Sequence, residues 1–286
     1  MMKRYRVIAA EFETRVLTLE PPESHLPAPE RFMQQQHYER TMFLLRSEYG
    51  EFGFEAKLDN LRLLRPRPVS VVDFHNQCLD QCRKAFVCGQ YYPALTSAFS
   101  LAERMLVHLV NGLRPRYCDK SSRRALFAWE QKQNPYMALE LLLAWQAIRS
   151  EVADRWLELQ VGLKNRLYVN NEDLLYKREL AFEVLTQVED IISQQFSGAG
   201  NLPWLFAVND EYYIRKEFEQ HPFIQLVYLP TSEYLGHRHQ IKRVFPWEFT
   251  DIEDEIDHGI SDEEFAKLRM EFCRETLDKP HVSATA

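Results

Sequence analysis

Two amphipathic runs separated by one glycine constrain this chain more than any other feature. The first, Val71 to Cys88, carries apolar residues at Val72, Leu79, Cys82 and Phe86. The second opens near Tyr92 and runs through Ala94, Leu95, Ala98, Leu101, Ala102, Met105, Leu106, Leu109 and Val110. Those spacings repeat every three to four residues and draw one broad apolar face on each of two helices. Gly89 stands where a helix C′ residue belongs, because glycine takes a left-handed backbone without penalty. Pro93 falls in the first turn of the second run, where its missing N–H breaks no bond. The pair predicts an antiparallel helical hairpin. With 9 glycines in 286 residues, a sandwich rich in tight turns is disfavoured, and a 45% hydrophobic content supplies a sizeable core.

The rest of the chain arranges itself around this hairpin. Tyr5-Arg6-Val7-Ile8 and Arg15-Val16-Leu17-Thr18-Leu19 alternate like two short strands or a small hairpin. Pro21, Pro22, Pro27 and Pro29 mark a linker, Gln34 to Phe54 a helix, and Arg65-Pro66-Arg67-Pro68 an extended connector. Beyond the hairpin, helices are expected over Ala125–Lys132, Met137–Ile148, Val152–Leu163 and Asp173–Phe196. Residues 201–250 are dense in aromatics, with short strands expected at Gln225–Tyr228 and Ile241–Phe245. Ser261-Asp262-Glu263-Glu264 reads as a capping box for a last helix, Glu264–Leu277. The expected organisation is mainly α. A β-containing N-terminal appendage (1–68) precedes a helical bundle (69–200), and an irregular α+β extension (201–286) follows.

Charge and cysteine usage narrow the function classes. The net charge is −7, so no overall field draws the chain to nucleic acid or an acidic membrane. An RNA contact has to come from a local patch. Val7-Ile8-Ala9-Ala10 is too short for a signal peptide core, and Met137–Ile148 is too short to span a bilayer. The reading is cytoplasmic, with no membrane partner. Five cysteines, an odd number, fit buried thiols rather than a disulfide framework. Cys78 and Cys82 share a helical face, but no histidine or carboxylate pair completes a metal set there. No metal or cofactor is expected.

The most distinctive polar cluster is Leu163-Lys164-Asn165-Arg166-Leu167-Tyr168-Val169-Asn170-Asn171, read as a turn between two helices. It concentrates cations and amides suited to holding a phosphate. Together with Phe74-His75-Asn76-Gln77-Cys78, Gly89-Gln90-Tyr91-Tyr92-Pro93-Ala94-Leu95 and Leu101-Ala102-Glu103-Arg104, it resembles the HEPN superfamily. These are helical-bundle proteins of prokaryotic antiviral defence and toxin–antitoxin systems. The likeness covers roughly residues 70–200. Active members are metal-independent endoribonucleases with Arg-x(4–6)-His in this turn, usually paired across a homodimer. There the histidine moves a proton at the ribose 2′-OH or the leaving oxygen, and the arginine offsets phosphorane charge. The resemblance therefore implies a homodimer or larger assembly and a partner that is either RNA or a protein from the same operon.

This chain departs from the family motif. Counting from Lys164 or from Arg166, an asparagine or valine stands where the family has histidine, and asparagine is no base near neutral pH. The turn keeps Lys164, Asn165, Asn170 and Asn171 for phosphate binding and Arg166 as a candidate catalytic residue. His108 is the candidate replacement base, and Glu103, five residues before it and not on the same line, is a further catalytic candidate. Alternatively Glu103, Arg104 and His108 form an internal polar network that fixes helix packing. Arg114, Arg116, Lys120, Arg123 and Arg124 make the densest basic run, either a solvated loop or a groove for RNA phosphates. His237-Arg238-His239 reads as a surface or packing element. Two functions compete: a HEPN-like binding protein with a degenerate catalytic turn, and an active ribonuclease with a relocated site.

Overall fold

The hairpin forms as its periodicity requires. In the computed structural model, helix α3 (Asp73–Val87) turns at Gly89, φ 75°, into helix α4 (Tyr91–Leu113). The structure describes residues 3–8, 15–23, 25–117, 120–132, 134–169, 178–243, 246–251 and 259–277. Of residues 120, 121, 132, 162–169 and 277, only the backbone is described. The protein is mainly α. It divides into two compact units, 10–196 and the discontinuous pair 1–9 with 197–286.

In the first unit, α1 (Ala28–Tyr49) and α2 (Phe54–Leu63) precede the hairpin. Four helices follow: α5 (Lys120–Lys132), α6 (Pro135–Ala144), α7 (Ser150–Val169) and α8 (Arg178–Gln195). Helix α4 is the centre of the core. Its Ala94, Ala98 and Ala102 are fully buried. The small side chain at 102 lets the Trp156 indole reach in and donate to the Ala102 carbonyl at 3.3 Å.

Hydrogen bonds at both ends fix the helix directions. The Val71 amide donates to Phe196 O at 2.8 Å, placing the start of α3 beside the end of α8. At the other end Asn60 Nδ2 donates to Phe86 O and Val87 O, while its Oδ1 accepts from Arg178 Nε at 2.7 Å and from the Tyr91 hydroxyl at 3.3 Å. Arg149 donates to Gln194 O, and Gln195 Nε2 to Ala147 O, so α7 starts where α8 ends. Helices α4 and α8 therefore run one way, and α3 and α7 the other.

The second unit holds an antiparallel sheet in the order β2-β3-β1-β4, with β1 Lys3–Val7, β2 Leu205–Val208, β3 Glu211–Ile214 and β4 Ser232–Gly236. Asn209 and Asp210, φ 49° and 61°, turn β2 into β3, the double left-handed geometry that matches strand twist. Helix α9 (Pro222–Val227), the ribbon of β5 (Gln240–Arg243) and β6 (Glu248–Thr250), and helix α10 (Asp262–Leu277) complete it. Phe265 of α10 packs with Val208 and Tyr213.

Several expectations need correction. Residues Arg15–Thr18 form a 3-10 turn, not a strand. Both edges of β1 are already paired, with β3 and β4, so no edge is left for a local hairpin. The N-terminal appendage 1–68 is accordingly split, its strand going with 197–286. The strand expected at Gln225–Tyr228 falls in α9 and the residue after it. Pro222 opens this helix and His221 Nδ1 caps it by accepting from the Phe223 amide. Helix α2 had no expectation at all. The turn expected from Lys164 onward is helical to Val169, since Gly162 alone costs only about 1 kcal/mol in a helix and no proline interrupts it.

Candidate functional site

The candidate catalytic residues fall at opposite ends of the helical unit. Trp156 and Ala102 share one level through their hydrogen bond. Arg166 lies ten residues further along α7, about 15 Å at 1.5 Å per residue. Because α4 runs the other way, His108 lies six residues beyond Ala102 in the opposite direction, about 9 Å more. Along the bundle axis Arg166 and His108 are thus about 24 Å apart, and Arg166 and Glu103 about 16 Å. A general base must come within about 3 Å of the proton it takes. Within one chain, His108 does not serve as the base for the 164–166 segment. Asn170 and Asn171 lie outside the described residues, as do the side chains of Lys164, Asn165 and Arg166.

His108 belongs to a different constellation, near the start of α3. Its ring stands 5.3 Å from Phe74 and 6.4 Å from His75, both edge-on. Phe196 packs against His75 at 4.6 Å. His75 is fully buried, and its Nδ1 shares a 2.8 Å hydrogen bond with Ser70 Oγ. Its Nε2 and the His108 Nδ1 are buried without a partner. Burial, and then the neighbouring His108, pulls the His75 pKa down to about 3, and burial lowers that of His108. Both rings are neutral at neutral pH. Arg104 is exposed and lies over the Phe74 ring at 5.8 Å. Glu103 is half-buried on the same helix. The two histidines thus stand among aromatic rings, and no hydrogen bond joins His108 to Glu103 or Arg104 among the described contacts.

The basic run forms an exposed surface. Arg114 pairs with Glu130, and its charge is locally offset. Arg116, Arg123 and Arg124 are exposed, with Phe127 exposed beside the last two on α5. The side chain of Lys120 lies outside the described residues. Leu126 and Trp129 anchor the opposite face of α5 in the core. Lys120, Arg123 and Arg124 occupy the first turns of α5, where the helix dipole opposes cations. That arrangement is stabilised when an anion docks there.

The most elaborate polar cluster was not anticipated. In the second unit Glu211 Oε1 accepts from Arg6 Nη1 at 3.0 Å and from Arg269 Nη2 at 2.8 Å. Its Oε2 accepts from Arg269 Nε and from the Tyr213 hydroxyl. Arg269 Nη1 also reaches the carbonyls of His237 and His239. His239 Nδ1 lies 2.7 Å from Gly236 O and Nε2 lies 2.7 Å from Arg6 Nη1. The carbonyl can only accept and the guanidinium only donate, so Nδ1 carries the proton. Burial first, then the adjacent Arg269, holds the His239 pKa at about 4 against the pull of Gly236 O. Burial raises the Glu211 carboxyl, but the bonds from Arg269 and Tyr213 and the charge of Arg6 outweigh it and leave its pKa lowered. His237 and His239 are buried, in keeping with a packing element. Every member is tied to another member, so the cluster is structural. Nothing in the sequence could have joined residues this far apart.

Among the described residues no group of three or more histidine, cysteine or acidic side chains could hold a metal ion, and no helix is long and apolar enough to cross a membrane. Burial moves the Cys82 thiol up to about 11, which makes it a poor thiolate. Comparison with family models, curated proteins and solved structures found no match.

Proposed function

We propose that this chain is a HEPN-like protein of the prokaryotic defence or toxin–antitoxin type that works by binding RNA or a protein partner, without cleaving RNA. The observation that carries this reading is the axial separation of about 24 Å between His108 and the 164–166 segment on antiparallel helices. A segment without the family's histidine gains no substitute from α4 of the same chain. The exposed cations of α5, with Phe127 among them, favour an anionic ligand, since arginine meets phosphate and an aromatic ring stacks on a base. The partner is cytoplasmic in this reading.

The test is direct. Purified protein is incubated with mixed RNA in EDTA, and products are screened for 2′,3′-cyclic phosphate ends. No cleavage is expected. Cleavage that disappears in Arg166→Ala or His108→Ala would overturn the reading in favour of an active ribonuclease, its site completed across two subunits. In parallel, Arg123→Glu with Arg124→Glu should weaken salt-sensitive RNA binding at least about 10-fold. Unchanged binding would remove α5 from the interface.

A further inference from the structure

Three arginines from three segments of the helical unit meet around one narrow cavity. Arg15 comes from the 3-10 turn, Arg67 from the connector before the hairpin and Arg83 from α3. Leu45 and Tyr49 of α1, Leu61 of α2, Val16 and Val87 complete the wall, and Asp80 is the one acid among the described residues on it. The free space is about 10 Å³, room for a guest about the size of one water. The arginines are held in place by other bonds. Arg83 is buried, pairs with Glu189 and donates to Arg65 O at 2.7 Å. Arg67 Nη1 donates to Asn76 O at 3.2 Å, and Arg15 Nη1 to Glu48 Oε2 at 2.5 Å.

The charges around this cavity do not cancel. Lys84 Nζ lies 3.2 Å from Glu48 Oε1 and 2.8 Å from Asp80 Oδ2. The cations are thus Arg15, Arg67, Arg83 and Lys84, and the carboxylates Glu48, Asp80 and Glu189. Among these seven groups one positive charge is left over. Like charges gathered where little water reaches repel each other more than they do in bulk solvent. A guanidinium offers only N–H donors and no acceptor, so the wall favours a guest that accepts. We infer that the cavity binds one small monoanion of the halide class, chloride above all. A halide is a single acceptor atom little larger than a water, whereas phosphate and carboxylates bring several heavy atoms into a space sized for one. Bound there, the ion clips the 3-10 turn to the connector and to α3 through three guanidiniums. The inference does not depend on the HEPN reading.

The full chain is titrated with chloride replacing gluconate at constant ionic strength, since gluconate is too bulky to enter. The chloride NMR linewidth should show saturable binding to the folded protein, and the thermal midpoint should rise by at least about 2 °C and level off as the site fills. Arg15→Gln, at a half-buried position where Lys84 still accompanies Glu48, should weaken chloride binding at least about 10-fold. Arg15→Lys should recover part of that loss. Asp80→Asn removes the acid from the wall and should tighten binding about 3-fold or more, a gain that a damaged fold does not produce. A wild type without saturable broadening of the chloride line overturns the proposal. A response that both Arg15→Gln and Asp80→Asn leave unchanged overturns it too, because it is then a general salt effect.

Discussion

The two units differ in the largest polar cluster each one buries. In the unit built from 1–9 and 197–286, Glu211 faces two arginines, a tyrosine and, at 3.9 Å, a histidine, and both its oxygens are engaged. In the unit 10–196, His75 and His108 each bury a ring nitrogen with no partner, and Gln160, fully buried, leaves both amide atoms unpaired. A buried charge is tolerable only when paired and hydrogen-bonded, and each pairing fixes an orientation. An unpaired polar group only costs stability. The sheet unit therefore gathers buried charges into one network that specifies geometry, whereas the helical unit sets one buried pair, Arg83–Glu189, in the apolar fit around α4.

The contrast is sharpest where a single change breaks the paired cluster. Glu211→Ala strands Arg6 and Arg269 beside each other, and should lower the stability of its unit by about 3–5 kcal/mol, read by urea unfolding. A loss under about 1 kcal/mol would mean the network is solvated and the contrast empty. A smaller effect comes from acid. His75 is neutral when folded, with a pKa of about 3, and near 6.5 when unfolded. Its contribution is complete above pH 6.5 and is lost as pH falls from there toward 3. Relative to pH 8, stability at pH 5 should be about 2 kcal/mol lower on its account. His75→Phe should flatten that slope in the tryptophan fluorescence of the helical unit, and an unchanged slope would place the acid sensitivity elsewhere. Smallest is a gain. Gln160→Leu removes an amide with no partner and should stabilise by about 1–2 kcal/mol in thermal melts. A destabilised variant would reveal that Gln160 is bonded after all.

What the sequence made legible was local. The α3–α4 hairpin could be read because apolar spacing, a C′ glycine and a first-turn proline all agree. The cap on α10 could be read too, and the Glu264 amide donates to Ser261 Oγ at 3.1 Å. The end of α7 misled because a run of cations and amides resembles a loop, although lysine and arginine are good helix formers and asparagine costs a helix little. His108 and the 164–166 segment do not meet within one chain, for a geometric reason. Sequence spacing shows which residues share a helix face, but not at which level two antiparallel helices meet. That level came from one indole hydrogen bond. The Arg6–Glu211–Arg269 cluster was beyond reach because strand pairing of a terminal segment with strands two hundred residues away leaves no local trace.

That same pairing sets the order in which the protein can be made. Strand β1 lies between β3 and β4, yet it leaves the ribosome long before either of them. At about 5–20 residues per second, the N-terminal strand waits roughly 10–40 s for its neighbours, while the helices between them have time to assemble. A chain released early keeps a complete helical unit and a lone first strand with nothing to join. Completion of the sheet thus reports that translation has passed residue 236.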